Sequence, residues 1–321
     1  MKAKQVQASR LTGFLAVVRY EILWNIRKKK FLGVLILAFA LASLTLFLPV
    51  ALNRVNNVPT EANPDYVITT GTGVGSFGFF LFALVTVMNS ISGEFESGSI
   101  IPLLTKPVSR TTVYLAKLFA AFLTILAAYV LLSIYMAAGG YILYGPQNNM
   151  QLVIVTLVGS IFSTLVWMSI VLCAGSVSKN SMLTALLGIG IFFGLSIASG
   201  VLSAFSNQAW ILTYAPGNGA PARLGNLRST VNVTSFRNLT QSVSSGTDSI
   251  ATNLVTYILH PANNVTFTKT EISQGTGELL VPMYSEPLSL VVARAIIVAA
   301  IYIFVFNFIA WYALKKTQVA E

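Results

Sequence analysis

The sequence predicts an all-α integral membrane protein: six transmembrane helices, an N-terminal interfacial amphipathic helix, short cytosolic helices, and a small, partly β extracytoplasmic segment between spans five and six. Three observations carry this. Hydrophobic residues make up 55% of the 321 positions and charged residues 9%, with mean hydropathy +0.74, whereas about a quarter of a soluble domain is charged. Such a chain cannot cover itself with polar surface. Six apolar runs reach the ~20 residues that a bilayer core requires. Lys and Arg also cluster in those segments that a six-span plan puts on one side.

Residues 1–30 are basic, with helical spacing of Leu11, Phe14, Leu15, Val18 and Ile22. That stripe, with Arg19 and Asn25 off it, predicts an amphipathic helix lying in the inner membrane interface. The segment is too basic and too long for an ordinary cleaved signal peptide. Arg27 to Lys30 mark the membrane edge. Spans one to five fall within residues 31–205, at 31–50, 67–92, 112–138, 151–175 and 182–205. Residues 51–66 form a polar outer loop, 93–111 an inner loop, and 206–287 a long segment rich in Asn, Ser and Thr. Residues 288–314 are the sixth span and 315–321 a short tail.

Six spans put both termini on one side. That side holds 14 Lys and Arg, eight of them before Phe31, and the other holds five despite far more loop. The positive-inside rule therefore places both termini in the cytoplasm of a plasma-membrane protein. The net charge of +10 is a topology signal at an anionic membrane face rather than a nucleic-acid footprint.

Catalysis has little to work with. The single cysteine, Cys173, lies in an apolar run, and the single histidine, His260, in a polar segment. Zinc needs three or four protein ligands, so no metal site is expected. No G-x-x-x-x-G-K-(S/T) occurs, so ATP hydrolysis has no seat on this chain. The glycine-rich Thr70 to Gly78 lacks the phosphate-binding lysine and reads as close helix packing or a flexible span entrance. Ionisable residues deep in the spans are nearly absent, against an ion-coupled carrier or a membrane hydrolase.

The most specific stretch is Gly93 to Lys117, GEFESGSIIPLLTKPVSRTTVYLAK. Glu94 and Glu96 are too costly for the bilayer interior and fix its inner edge. Pro102 and Pro107 divide the stretch, predicting a short helix from about Glu94 to Ile101 and a new one N-capped by Ser109. Ile100, Ile101, Leu103 and Leu104 would anchor the short helix in the interface or in a partner's groove. An ordinary charged inner loop has the same composition, and these residues alone leave both readings open.

The pattern E-x-E-S-G-S-I-x-x-L-L-x-x-P-V-S-R, closed by Tyr114 and Lys117, resembles the inner loop of ATP-binding-cassette exporter permeases of the second type. It is similar in particular to the subset related to the nitrous-oxide-reductase maturation permease. The resemblance implies a coupling helix that docks on a separate nucleotide-binding ATPase subunit, which would hold the ATP and magnesium. It also implies a dimer of two permease copies or of similar chains. Carried over by position, Glu94, Phe95, Glu96, Ser97, Gly98, Ser99, Ile100, Leu103, Leu104 and Arg110 form the main contact. Ser178, Lys179 and Asn180, in the very short loop between spans four and five, form the second. No cofactor is expected on this chain itself.

Gly190, Gly194 and Ala198 recur every fourth residue in the fifth span. That spacing lets two helices approach closely, either across a dimer interface or within one protomer. Phe77, Phe80, Phe192 and Phe193 would offer an apolar path through the membrane or simply pack. In the outer segment, residues 228–236 and 264–268 are strand-like, so a small cap and a disordered decoration are both open. Sequons at Asn232, Asn238 and Asn264 suit an outside-facing, glycosylated surface. The expectation is therefore the permease subunit of an ATP-driven exporter working by alternating access. The alternatives are a non-transporting envelope-assembly scaffold that works through its outer segment, and an ion-coupled carrier.

Overall fold

The computed structural model describes residues 10–98, 109–205, 214, 227–232, 240–242, 248–262, 264–273 and 277–316. Helix α1 (Arg10–Arg27) leads into α2 (Lys29–Val55), then α3 (Tyr66–Thr70), α4 (Gly75–Val87) and α5 (Ser92–Glu96). Then come α6 (Arg110–Tyr144), a 3-10 turn at Met150–Leu152, α7 (Val153–Ser178) and α8 (Ser181–Phe205). Strands β1 (Leu227–Asn232) and β2 (Thr240–Ser242), helix α9 (Asp248–Leu259), strands β3 (Asn264–Ser273) and β4 (Gly277–Pro287), and helix α10 (Leu288–Lys316) complete the order. Six helical stretches among the described residues are long and apolar enough to cross a membrane: Lys29–Val55, Phe77–Glu96, Arg110–Tyr144, Met150–Ser178, Ser181–Ala198 and Leu288–Lys316.

The centre of the bundle is α7. Of its most apolar window, 72% is buried within the protein, against 22% for the first, fifth and sixth spans. It packs against α4, α6, α8, α9 and α10, and its fully buried Trp167 meets Phe80 of α4 edge-on at 5.4 Å between ring centres. Tyr129 of α6, also fully buried, shares a 2.7 Å hydrogen bond with Thr164 of α7. A buried hydroxyl without such a partner would carry its full desolvation cost.

The second span differs from the single helix expected over 67–92. It is broken twice, at Gly71–Val74 and at Met88–Ile91. Gly71, Gly73 and Gly75 have φ of 63°, 71° and 65°, a left-handed region that costs other residues far more than glycine. A Cβ on Gly73 would lie 3.1 Å from Met136 and 3.3 Å from the Ala42 backbone. The glycines therefore both turn the chain and let it pass tightly between α2 and α6. Thr45 Oγ1 donates to the Gly73 carbonyl at 3.1 Å, serving an acceptor that the broken helix leaves over.

Several boundaries also move. Helix α2 runs through Pro49 to Val55 rather than ending at Val50, and α6 continues to Tyr144 rather than Ala138. Gly139 and Gly140 permit that extension, because a Cβ on them would strike Leu46 at 2.6 Å and Val67 at 2.3 Å. In the 206–287 segment, the strands form one antiparallel sheet in the order β2-β1-β3-β4, with a bulge at Phe267/Thr268. Helix α9 stands in the same segment, where the sequence suggests strands. It lies against α7 so closely that a Cβ on Gly159 would come 2.5 Å from the Ala251 backbone.

Candidate functional site

Helix α5, the start of α6, the α7–α8 turn and the end of α10 meet at one end of the protein, joined by side-chain contacts. Helix α5 begins after the Met88–Ile91 break and stops at Glu96, shorter than the Glu94 to Ile101 helix expected from sequence. The physical reason is Gly98, whose φ of 69° takes the chain out of helical geometry. Ser109 caps α6 as expected, its hydroxyl accepting the Thr112 amide at 3.1 Å.

The charges of this end are organised around Lys117. Its ammonium, 3% exposed on α6, donates to Glu21 of α1 at 2.5 Å and to Glu94 of α5 at 2.7 Å. One cation thus holds three helices. The Glu94 Oε2 atom is buried without a hydrogen-bond partner among the described residues, so the pair is incompletely satisfied, and removing Lys117 would leave two carboxylates without their direct ion-pair partner. Asn25 is buried on the same face of α1 and accepts from Lys28 Nζ at 3.2 Å. Burial pushes the Lys28 ammonium down to about 8, and the neighbouring Lys117 and Lys30 charges push the same way, against the pull of Glu21 and Glu94.

The face of α1 that meets the bundle is therefore rotated from the expected stripe. Phe14, Val17, Val18, Glu21, Ile22 and Asn25 turn toward α6, while Leu11 and Leu15 remain exposed. The rotation has a cause, since Glu21 must reach Lys117.

Glu96 points the other way. Its carboxylate accepts both the backbone amide and the hydroxyl of Ser181, the amide at 3.2 Å, at the N-terminus of α8, where a negative charge is favoured. Asn180 supports the same terminus by accepting the Leu183 amide at 2.9 Å. Lys179, in the left-handed conformation at the end of α7, lays its ammonium 5.5 Å from the Phe95 ring centre. Ser178 hydrogen-bonds to Thr184 at 2.9 Å. Arg110 donates to the Lys315 carbonyl at 2.9 Å, fastening the start of α6 to the end of α10.

The residues singled out in the sequence thus divide. Glu94, Phe95 and Glu96 reach inward or sideways to α6, α7 and α8, and Ser97 and Gly98 form the exposed tip. Ser99, Ile100, Leu103 and Leu104 lie outside the described residues. Gly190 and Gly194 of α8 have open space where a Cβ would be, and Ala198 is exposed beside them. Phe80 and Phe192 stack at 4.4 Å in the interior, while Phe77 and Phe193 emerge at that open face. Asn232 and Asn264 fall at strand ends, and Asn238 lies outside the described residues.

Sequence reasoning missed Glu21. One signal was available, because it is the sole acidic residue before Glu61 and sits in a strongly basic helix.

Six helices long and apolar enough to cross a membrane, with the short helix α5 tied to them by charge, define the class of a multi-pass membrane protein. The chain belongs to the ABC-2 transporter family: the model of the ABC-2 family transporter protein matches residues 15–318, nearly the whole chain. The family supports an ABC transporter membrane subunit and implies an ATP-binding partner subunit. No curated protein matches the chain.

Proposed function

We propose that this chain is the membrane subunit of an exporter, and that a separate ATPase drives it through α5 and the α7–α8 turn. The observation that carries this reading is the way α5 is held. Glu94 binds Lys117 of α6, Glu96 binds Ser181 of α8, and Phe95 lies beside Lys179 in the turn after α7. A push on the exposed Ser97–Gly98 tip would move all of these together and, through Glu21, α1 as well. Ionic links of this kind suit a rigid connection better than a hinge, because charge and geometry must both be preserved.

In this reading the end carrying α1, α5 and Lys316 is cytoplasmic, in keeping with its share of the positive charge. Two copies would meet along α8, whose Gly190–Gly194–Ala198 face is open, with Phe77 and Phe193 at its edge. Alternating access would then be a rocking of spans across that seam, driven by closure of the ATPase pair. The segment 206–287 would cover the outer exit.

The test is gentle purification of the full chain from its native membrane, with identification of co-eluting proteins and an ATPase assay. A stoichiometric soluble ATPase is expected, and Glu96→Arg should abolish its stimulation while leaving the elution profile of the chain unchanged. A chain that elutes with no ATPase, or a Glu96→Arg variant with full stimulated activity, would overturn the reading.

A further inference from the structure

The outer surface between α6 and α10 contains a groove that the coupling reading does not use. Two adjoining apolar cavities, of about 430 and 400 Å³, share Leu115, Leu118, Ile303 and Asn307 in their walls. Phe14 of α1 borders the first, and Trp311 borders the second. Asn307 is the most polar side chain in both, and it is already engaged. Its Oδ1 accepts the Tyr114 hydroxyl at 2.6 Å, and its Nδ2 donates to Ser169 Oγ at 2.6 Å and the Ile303 carbonyl at 2.7 Å. The wall therefore offers hydrocarbon, with its polar group turned into the protein.

The groove has one charged mouth. Beyond Trp311 stand Lys315 and Lys316, both exposed, with ammonium groups 5.0 Å from the Trp311 ring and 5.9 Å from the Tyr312 ring. Arg110 is fastened there by its bond to the Lys315 carbonyl. Trp and Tyr beside Lys and Arg mark the level of lipid headgroups. From Trp311 to Ile303 the groove follows α10 for eight residues, ~12 Å at the helical rise. One leaflet contributes ~15 Å of a hydrocarbon core, so groove and leaflet match in depth.

We propose that this groove binds an anionic phospholipid from the leaflet next to α1. Its acyl chains lie along Leu115, Leu118 and Ile303, and its phosphate faces Arg110, Lys315 and Lys316. A second copy of the chain would bring like charge to this mouth. A zwitterionic lipid would fill the groove without a net negative charge to answer these basic side chains. Basic side chains near a membrane surface each favour an anionic headgroup roughly fivefold. Three together give a preference of up to ~100-fold.

The test is native mass spectrometry of the full chain in mild detergent, titrated with dioleoyl phosphatidylglycerol or with dioleoyl phosphatidylcholine. The expected result is one phosphatidylglycerol retained per chain, at least tenfold preferred over phosphatidylcholine. The variant Arg110→Ala/Lys315→Ala/Lys316→Ala should lose that preference. Leu115→Trp, at a position 48% exposed, should block retention, whereas Ile134→Trp, 61% exposed further along α6, should not. Equal retention of the two lipids, a preference that survives the triple variant, or unchanged retention in Leu115→Trp would each overturn the proposal. So would displacement of the lipid by glycerol phosphate alone, which would make the mouth a site for free phosphate.

Discussion

Lys117 lies 2.7 Å from Glu94, linking α6 to the short helix that precedes the Gly98 turn. A second carboxylate, Glu21 from α1, holds the same ammonium. Lys117 and Glu21 are buried and Glu94 partly so, and the strength of the cluster depends on mutual compensation of charge rather than on charge alone.

Replacing Lys117 by Met should therefore destabilise the protein by about 3–5 kcal/mol, the usual penalty for orphaning a buried partner. Adding Glu21→Gln and Glu94→Gln should restore much of it, since neither carboxylate charge is then left without its ammonium. Heating each variant and following its monodisperse size-exclusion peak measures both. A triple variant no more stable than Lys117→Met would show that the acids are compensated elsewhere.

The approach of α9 to α7 depends on Gly159. Because a Cβ there would meet backbone rather than a flexible side-chain end, Gly159→Ala should cost about 1–3 kcal/mol through overpacking. Limited proteolysis should show the α9 region cut earlier, with the α1–α6 end unaffected. An unchanged digestion pattern would mean that α9 adjusts without loss.

Lys28 should deprotonate near pH 8. It is a base whose folded value lies below its ordinary 10.5. The cost of its charge is thus fully felt below pH 8 and is relieved as pH rises from 8 toward 10.5. Labelling with an amine-selective reagent, read by peptide mass spectrometry, should show Lys28 modification rising with a midpoint near 8. Asn25→Ala should shift that midpoint further down, because the hydrogen bond to Asn25 favours the ammonium. A midpoint unmoved by Asn25→Ala would leave that hydrogen bond without a part in the titration.

Glu96 should protect the start of α8. With Glu96→Gln the charge at the helix N-terminus is lost, and the Ser181 amide should exchange with deuterium faster than in the unaltered chain. The Asn180→Ala variant should do the same at Leu183, whose amide it accepts. Equal exchange at Ser181 in both backgrounds would reduce the Glu96 contact to a chance approach.

Six spans, the capping of α6 by Ser109, and the family itself were legible in the sequence. Each rests on a local signal: apolar run length, a hydroxyl before a helix, or the pattern from Glu94 to Arg110. The break of the second span was half legible. Its glycines stood out, but their left-handed geometry matters only because α2 and α6 close in on Gly73. Helix α9 was hidden by the polar residues around it, although Ile250, Leu254 and Ile258 recur at helical spacing.

What the chain determines by itself is its class, because hydropathy and charge act through the solvent and need no knowledge of neighbours. Tertiary structure decided which way each charge faces. Glu94 and Glu96 are two residues apart, so on a helix they point to different sides, and only the positions of α6 and α8 assign one to Lys117 and the other to Ser181. Glu21 joins them from 96 residues before Lys117. That pairing comes from packing α1 against α6, since a buried ammonium between two helices must be met by whatever carboxylates the fold brings within reach.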